Sequence, residues 1–96
     1  MPLVFEWDAK KAKDNQQKHG VSFDEACTVF DDPLAIIFLD EDHSESEPRE
    51  IIIGHSIVRR LLILCFTMRS NDHIRIISAR LATRRERSDY ENYLEK

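Results

Sequence analysis

Glycine and proline are scarce, at two and three residues of 96. That excludes a collagen-like chain and a low-complexity linker, and a hydrophobic content of 42% excludes a disordered tail. The two cysteines, Cys27 and Cys65, are too few for a disulfide scaffold or a four-ligand zinc cluster. Both stand among apolar neighbours and read as buried free thiols. No apolar run approaches the roughly 18 residues of a membrane-spanning helix. The stretch from Met1 to Trp7 is too short and too polar for a signal peptide, so the chain is expected in the cytoplasm, away from membranes. There is no Gly-rich phosphate loop and no nucleophile elbow. The acids from Asp40 to Glu47 lack the glycine and terminal Glu of a calcium loop, so neither metal nor cofactor is expected.

What is present is charge, and it is segregated. Residues 21–50 carry ten acids against Arg49 alone, whereas residues 57–87 carry eight arginines against Asp72 and Glu86. A basic block inside a chain of net charge −4 points to a local anion-binding surface, with phosphate as the obvious anion. The simpler alternative is that the acidic and basic segments face each other in the fold.

One domain over residues 1–96 is expected, small enough to gain from a partner chain. Pro2 to Glu6 reads as a strand. Asp8 caps a helix over Ala9 to His19, and Gly20 closes it in the left-handed region. Ser22-x-x-Glu25 has the spacing of a capping box, with Glu25 reaching back. Phe23, Ala26, Cys27 and Phe30 then form the apolar face of a second helix, which Asp31-Asp32-Pro33 ends. Four strands follow, over Leu34–Leu39, Glu50–His55, Arg60–Met68 and His73–Arg80. Their short connections favour antiparallel neighbours. Thr83-x-x-Glu86 is a second capping box and opens a last helix striped by Tyr90, Tyr93 and Leu94. The order β-α-α-β-β-β-β-α is an α+β domain. Its strands are continuously apolar, as sheets covered on both faces are. Three short helices are little cover for two faces, so a second chain is expected on the remainder; the alternative is shielding by loops and long Arg stems.

Two groups of arginines are candidates for chemistry. Arg84, Arg85 and Arg87 occupy the first turn of the last helix, where the dipole disfavours cations by roughly 0.3–1 kcal/mol each. Arg85 has Asp89 and Arg87 has Glu91 at i+4, but Arg84 has Ser88. A bound polyanion would relieve the strain; a solvated charged face is the simpler reading. Arg60, Arg75 and Arg80 lie in strands, where Arg is out of place unless paired or functional. Their guanidinium forks match phosphate oxygens and the charge of a phosphorane. Arg75 and Arg80 are five apart, so they share a face only if the strand bulges near Ser78. Among the histidines, His19 suits the end of its helix and His43 a solvated loop, and nothing separates His55 from His73.

Taken in order, Phe5-Glu6-Trp7-Asp8, Lys18-His19-Gly20-Val21-Ser22-Phe23, Val29-Phe30-Asp31-Asp32-Pro33, Arg75-Ile76-Ile77-Ser78-Ala79-Arg80 and Ala82-Thr83-Arg84-Arg85-Glu86-Arg87 resemble the BrnT family, toxins of type II toxin–antitoxin systems. The resemblance runs from Phe5 to about Tyr93. It implies a RelE-like fold: an antiparallel sheet with two N-terminal helices and one C-terminal helix. It also implies a metal-independent endoribonuclease that inhibits translation. The RNA 2′-hydroxyl attacks the adjacent phosphorus, with Arg60, Arg75 and Arg80 as cations and His19, Glu25 or Lys18 as base. Lys18, Arg84, Arg85 and Trp7 are the implied RNA contacts, though Trp7 equally suits an aromatic anchor for the first strand. The implied partner is a BrnA-type ribbon-helix-helix antitoxin that oligomerises with the toxin and carries it to operator DNA. A non-catalytic antitoxin-binding module acting as corepressor is the alternative.

Overall fold

A computed structural model describes residues 3–40 and 48–95. Strand β1 (Val4–Glu6) leads into helix α1 (Ala9–His19), whose first turn is capped by Asp8 through a bond from Lys11 N, and which Gly20 ends at φ 69°. Only glycine adopts that left-handed angle at little cost, which explains the stop after His19. Helix α2 (Phe23–Cys27) is shorter than the i, i+3, i+4, i+7 spacing predicts. It tightens into a 3-10 turn over Thr28–Asp31, and this carries Phe30 to the core by a different winding. Asp32 then turns the chain: its carboxylate accepts from Leu34 N, and Ala35 N bonds its carbonyl. Strand β2 therefore starts at Ile36, two residues later than expected. Strands β3 (Glu50–His55), β4 (Leu61–Met68) and β5 (His73–Leu81) and helix α3 (Arg84–Leu94) complete the order β-α-α-β-β-β-β-α. His43 and most of the acidic connection after Asp40 lie outside the described residues.

The sheet runs β1-β5-β4-β3-β2. β2 through β5 pair antiparallel, as their short connections require, while β1 lies parallel to β5, so the sheet is mixed. Residues alternate between its faces. One face carries Ile52, Leu62, Leu64, Phe66, Ile74, Ile76 and Ala79, buried against Val21, Phe23, Ala26 and Val29 from the N-terminal helical segments. The other face has α3 alone: Tyr90 packs on Ile53 and Leu61. Gly54 is forced by close approach. A Cβ there would lie 2.8 Å from the Ala35 Cβ and 3.1 Å from both Asp32 Oδ2 and Val29 Cγ1.

Asn15 locks α1 to the sheet. β1 covers only the His73–Arg75 part of β5, which leaves the backbone beyond it without a strand neighbour. The Asn15 side chain fills that role at Ala79. It donates to the Ala79 and Val21 carbonyls (2.8 and 3.0 Å) and accepts from Ala79 N (3.1 Å).

Candidate functional site

One end of the sheet gathers most of the sequence candidates. Arg60 precedes β4, and its guanidinium turns toward the N-terminal helices. Nε and Nη2 both bond the Glu25 carboxylate, and Nη2 also donates to the Gly20 carbonyl at 3.1 Å. That carbonyl belongs to the end of α1, where the helix dipole is negative and attracts a cation. Lys18 and His19 form the last turn of the same helix, exposed and half-buried respectively, and face Ile77 and Ser78 across a shallow hollow of about 230 Å³. On the other side, Ala82 N bonds Leu61 O, and the ladder brings Thr83 level with Arg60. The first turn of α3, with Arg84 and Arg85, therefore begins beside Arg60. Arg60 thus touches the end of α1 at Gly20, Lys18 and His19 of that same end line the hollow beside Ile77 and Ser78, and Arg84 follows Thr83 at the end of the neighbouring strand.

Glu25 does not close its capping box. Ser22 caps α2 by accepting from Glu25 N, but the Glu25 carboxylate turns away to Arg60 and to the Ser56 hydroxyl (2.7 Å). A charged partner outcompetes the weaker bond to a backbone N–H. The bonds from Arg60 hold its carboxyl below the usual range, against the opposing effect of burial, and Glu25 in turn raises the Arg60 pKa. A carboxylate so held is a poor proton acceptor near neutral pH. Glu25 fits the positioning of Arg60, not the expected base.

Arg75 does not join this group, whereas Arg80, opposite Ile63, is bonded into the first turn of α3 at Glu86. The register does slip: Phe66 faces Ile76 and Cys65 faces Ser78, so Ile77 is an extra residue that puts both arginines on one face. They remain four β4 positions apart, however, about 13 Å. Arg75 stands opposite Thr67, seven residues along from Arg60, or about 23 Å, and is paired with Glu6 at 2.9 Å. Arg80 is clamped in a fork on Glu86, with Nη1 and Nη2 at 2.7 and 2.8 Å. Glu86 simultaneously accepts from Thr83 N in the intact capping box of α3. The Arg80 bonds push its pKa down to about 2. The expected convergence of three guanidinium groups is therefore corrected: each has its own carboxylate, and one lies at the far end of β4.

Trp7 packs edge-to-face on Phe23 with ring centroids 5.8 Å apart, half-buried against the core, so its position is that of an anchor. Arg85 approaches Asp89 only at 4.0 Å with both side chains largely exposed, a contact worth little. Arg84 and Arg59 are exposed and unpaired among the described residues, and Arg59 sits at φ 65° in the β3–β4 turn. Two features escaped the sequence. Asn15 gave one weak signal, a poor helix former in mid-helix. His55, with Nδ1 3.8 Å from an Asp32 carboxylate that also accepts from His55 N, is brought to Asp32 by a contact 23 residues long that no local spacing reveals. Burial pushes the Cys27 thiol up to about 11 and Cys65 upward too, so both are inert thiols. Among the described residues no group of three or more His, Cys, Asp or Glu stands close enough to hold a metal ion, and no helix is long and apolar enough to cross a membrane.

Comparison with known proteins adds two findings. Residues 7–86 match the family model described as ribonuclease toxin, BrnT, of type II toxin–antitoxin systems. The fold is similar to the crystal structure of the Brucella abortus ribonuclease toxin BrnT, with a TM-score of 0.63 and 22% identity over 88% of this chain and 99% of that one. No curated protein matches the sequence.

Proposed function

The chain belongs to the BrnT family of type II toxin–antitoxin ribonuclease toxins, and on that premise we propose that it cuts RNA around Arg60, with Lys18 and His19 on the adjoining end of α1 and Arg84 at the start of α3. Membership brings RNA as target and an antitoxin as partner. The observation that carries the assignment is the Arg60 guanidinium, fixed by the Glu25 carboxylate and the Gly20 carbonyl at the end of α1. A guanidinium held in this way meets a phosphate with little ordering cost.

In this reading the RNA backbone crosses the end of β4. Arg60 accepts the charge that grows on the phosphorane as the 2′-hydroxyl oxygen attacks the adjacent phosphorus. The 5′-oxygen leaves, giving a 2′,3′-cyclic phosphate and a 5′-hydroxyl. His19 is the acid–base group, taking the 2′-hydroxyl proton and returning one to the leaving oxygen. Lys18 and Arg84 hold the flanking phosphates. The reaction needs no metal, and the partner is a ribbon-helix-helix antitoxin of the BrnA type, through which the complex reaches operator DNA. The purified chain is expected to cut single-stranded RNA in EDTA and to leave cyclic phosphate ends. Cleavage that stops in EDTA, or ends bearing a 5′-phosphate, contradicts the mechanism.

A second reading has its own support. Because Arg60, Arg75 and Arg80 are each already ion-paired within the chain, a non-catalytic module that binds antitoxin as corepressor also fits. Growth arrest on expression of the chain alone, lost in His19→Ala, selects the enzyme; antitoxin binding without RNA cleavage selects the module.

A further inference from the structure

We propose that the hollow between α1 and the bulge of β5 is a second RNA subsite, in which Lys11 holds a backbone phosphate beyond the one at Lys18. The inference rests on the ribonuclease reading above and carries the RNA path further along α1.

Four residues of α1 fall on one face at i, i+3, i+4 and i+7: Lys11, Asp14, Asn15 and Lys18. All four line the hollow of about 230 Å³, together with His19, Ile77 and Ser78. Asn15 fixes how this face is turned. Its three bonds to Val21 and Ala79 hold the helix at one rotation against the edge of β5. A lysine therefore stands about one turn to either side of Asn15, and the two lie about 10 Å apart along the helix.

The charges around the hollow favour an anion. The Lys11 and Lys18 ammonium groups have no acidic partner among the described residues. The one acid in the lining, Asp14, is taken at 3.0 Å by Lys10, which stands outside the hollow. The sheet adds the Ser78 hydroxyl, exposed and without a partner among the described residues. Beside it Ile77 is the extra residue of the β5 bulge, and bulges re-aim side chains next to functional sites. The row is continuous with Arg60, whose Nη2 bonds the Gly20 carbonyl two residues beyond Lys18. A strand held at Arg60 passes Lys18 before it reaches Lys11.

This chemistry decides the occupant. A protein segment docks through buried aromatic or aliphatic anchors, and Ile77 is the one large apolar side chain in the lining. Lysine and serine at a shallow rim suit phosphate and sugar oxygens. Such contacts position a strand without reading its sequence, so the subsite strengthens binding of single-stranded RNA in a salt-dependent way.

The test uses the full chain and a single-stranded RNA with every 2′-hydroxyl methylated, which cannot form a cyclic phosphate. Binding is followed by fluorescence anisotropy over a range of salt. Lys11→Ala removes an exposed side chain that makes no bond among the described residues. It is expected to lower the slope of log K against log salt by about 0.7 and to weaken binding about fivefold at about 0.1 M salt. Lys11→Arg keeps the charge and is expected to bind within about twofold of the unmutated chain. Lys13→Ala removes the same charge from the same helix but not from the hollow, and is also expected to bind within about twofold. With ordinary RNA, Lys11→Ala is expected to raise KM about fivefold and leave kcat unchanged, as for a group that touches substrate away from the reacting atoms. In the unmutated chain the methylated RNA is expected to slow acetylation of Lys11 by acetic anhydride relative to Lys13, a readout that needs no variant.

Equal losses in Lys11→Ala and Lys13→Ala overturn the proposal, as does a Lys11→Ala that binds RNA as tightly as the unmutated chain. So does a Lys11→Ala that weakens only the antitoxin complex, which makes this face a protein contact. Cleavage by Lys11→Ala at an unchanged KM removes the subsite and leaves the ribonuclease reading standing. Binding that depends on Lys11, in an unmutated chain that never cuts RNA, keeps the subsite and defeats that reading.

Discussion

Replacing Asn15 by alanine tests how α1, and with it Lys18 and His19, is held in place. The side chain is 7% exposed and makes three bonds, two of them to Ala79. Alanine breaks all three and leaves the Ala79 N–H and C=O without partners where no strand can reach them. A net hydrogen bond contributes about 1 kcal/mol, and a buried group left unpaired costs about 1–3 kcal/mol. Some water will enter at the edge of β5, so the expected loss is about 3 kcal/mol. For a domain of this size that is a fall in Tm on the order of 10–20 °C. Urea denaturation followed by circular dichroism measures it, with exposed Lys13→Ala on the same helix as the control. A loss below 1 kcal/mol for Asn15→Ala, or an equal loss for Lys13→Ala, refutes the view that this side chain stands in for a missing strand neighbour.

Three further outcomes follow from the same geometry. Gly54→Ala drives a methyl into Ala35, Asp32 and Val29 and is expected to cost about 1–3 kcal/mol in a urea melt; unchanged stability contradicts the close approach. The folded-state pKa of Glu86, about 2, lies below its ordinary 4.5, so the Arg80–Glu86 pair stabilises fully above about pH 4.5 and its contribution is lost as pH falls from there toward 2. Both side chains are about a third exposed and screened by solvent, so the loss is about 1 kcal/mol, read as the difference between the unmutated chain and Glu86→Gln in acid denaturation. Glu25→Gln, which weakens the hold on Arg60, is expected to lower RNA cleavage about tenfold while the chain stays folded; a rate equal to that of the unmutated chain removes Glu25 as a positioning residue.

Local signals in the sequence were legible because each acts within a turn or two. Asp8, Gly20 and Thr83-x-x-Glu86 mark helix ends by bonds between near neighbours, and the structure places those ends accordingly. Apolar runs gave the four later strands to within two residues, and their continuity anticipated a sheet for which the chain's own helices are thin cover. What stayed hidden depends on long-range competition. The Ser22-x-x-Glu25 spacing promises a reciprocal cap, but Arg60, 35 residues on, takes the carboxylate. Parity set Arg75 and Arg80 on opposite faces, and only the extra residue Ile77 restores one face. The parallel placement of β1 beside β5 joins the two ends of the chain and leaves no mark on either strand. The candidate site was likewise half visible: residue types named Arg60 and Arg84 and the family resemblance added Lys18 and His19, while nothing in their spacing separated them from Arg75 and Arg80.

The central claim is that Arg60 meets the scissile phosphate and that Arg75, at the far end of β4, does not. Initial rates of RNA cleavage in EDTA for Arg60→Ala and Arg75→Ala, both shown to be folded, test it directly. The account predicts a loss of about 100-fold or more for Arg60→Ala and a rate within tenfold of the unmutated chain for Arg75→Ala. Cleavage that survives Arg60→Ala, or falls equally in Arg75→Ala, contradicts it.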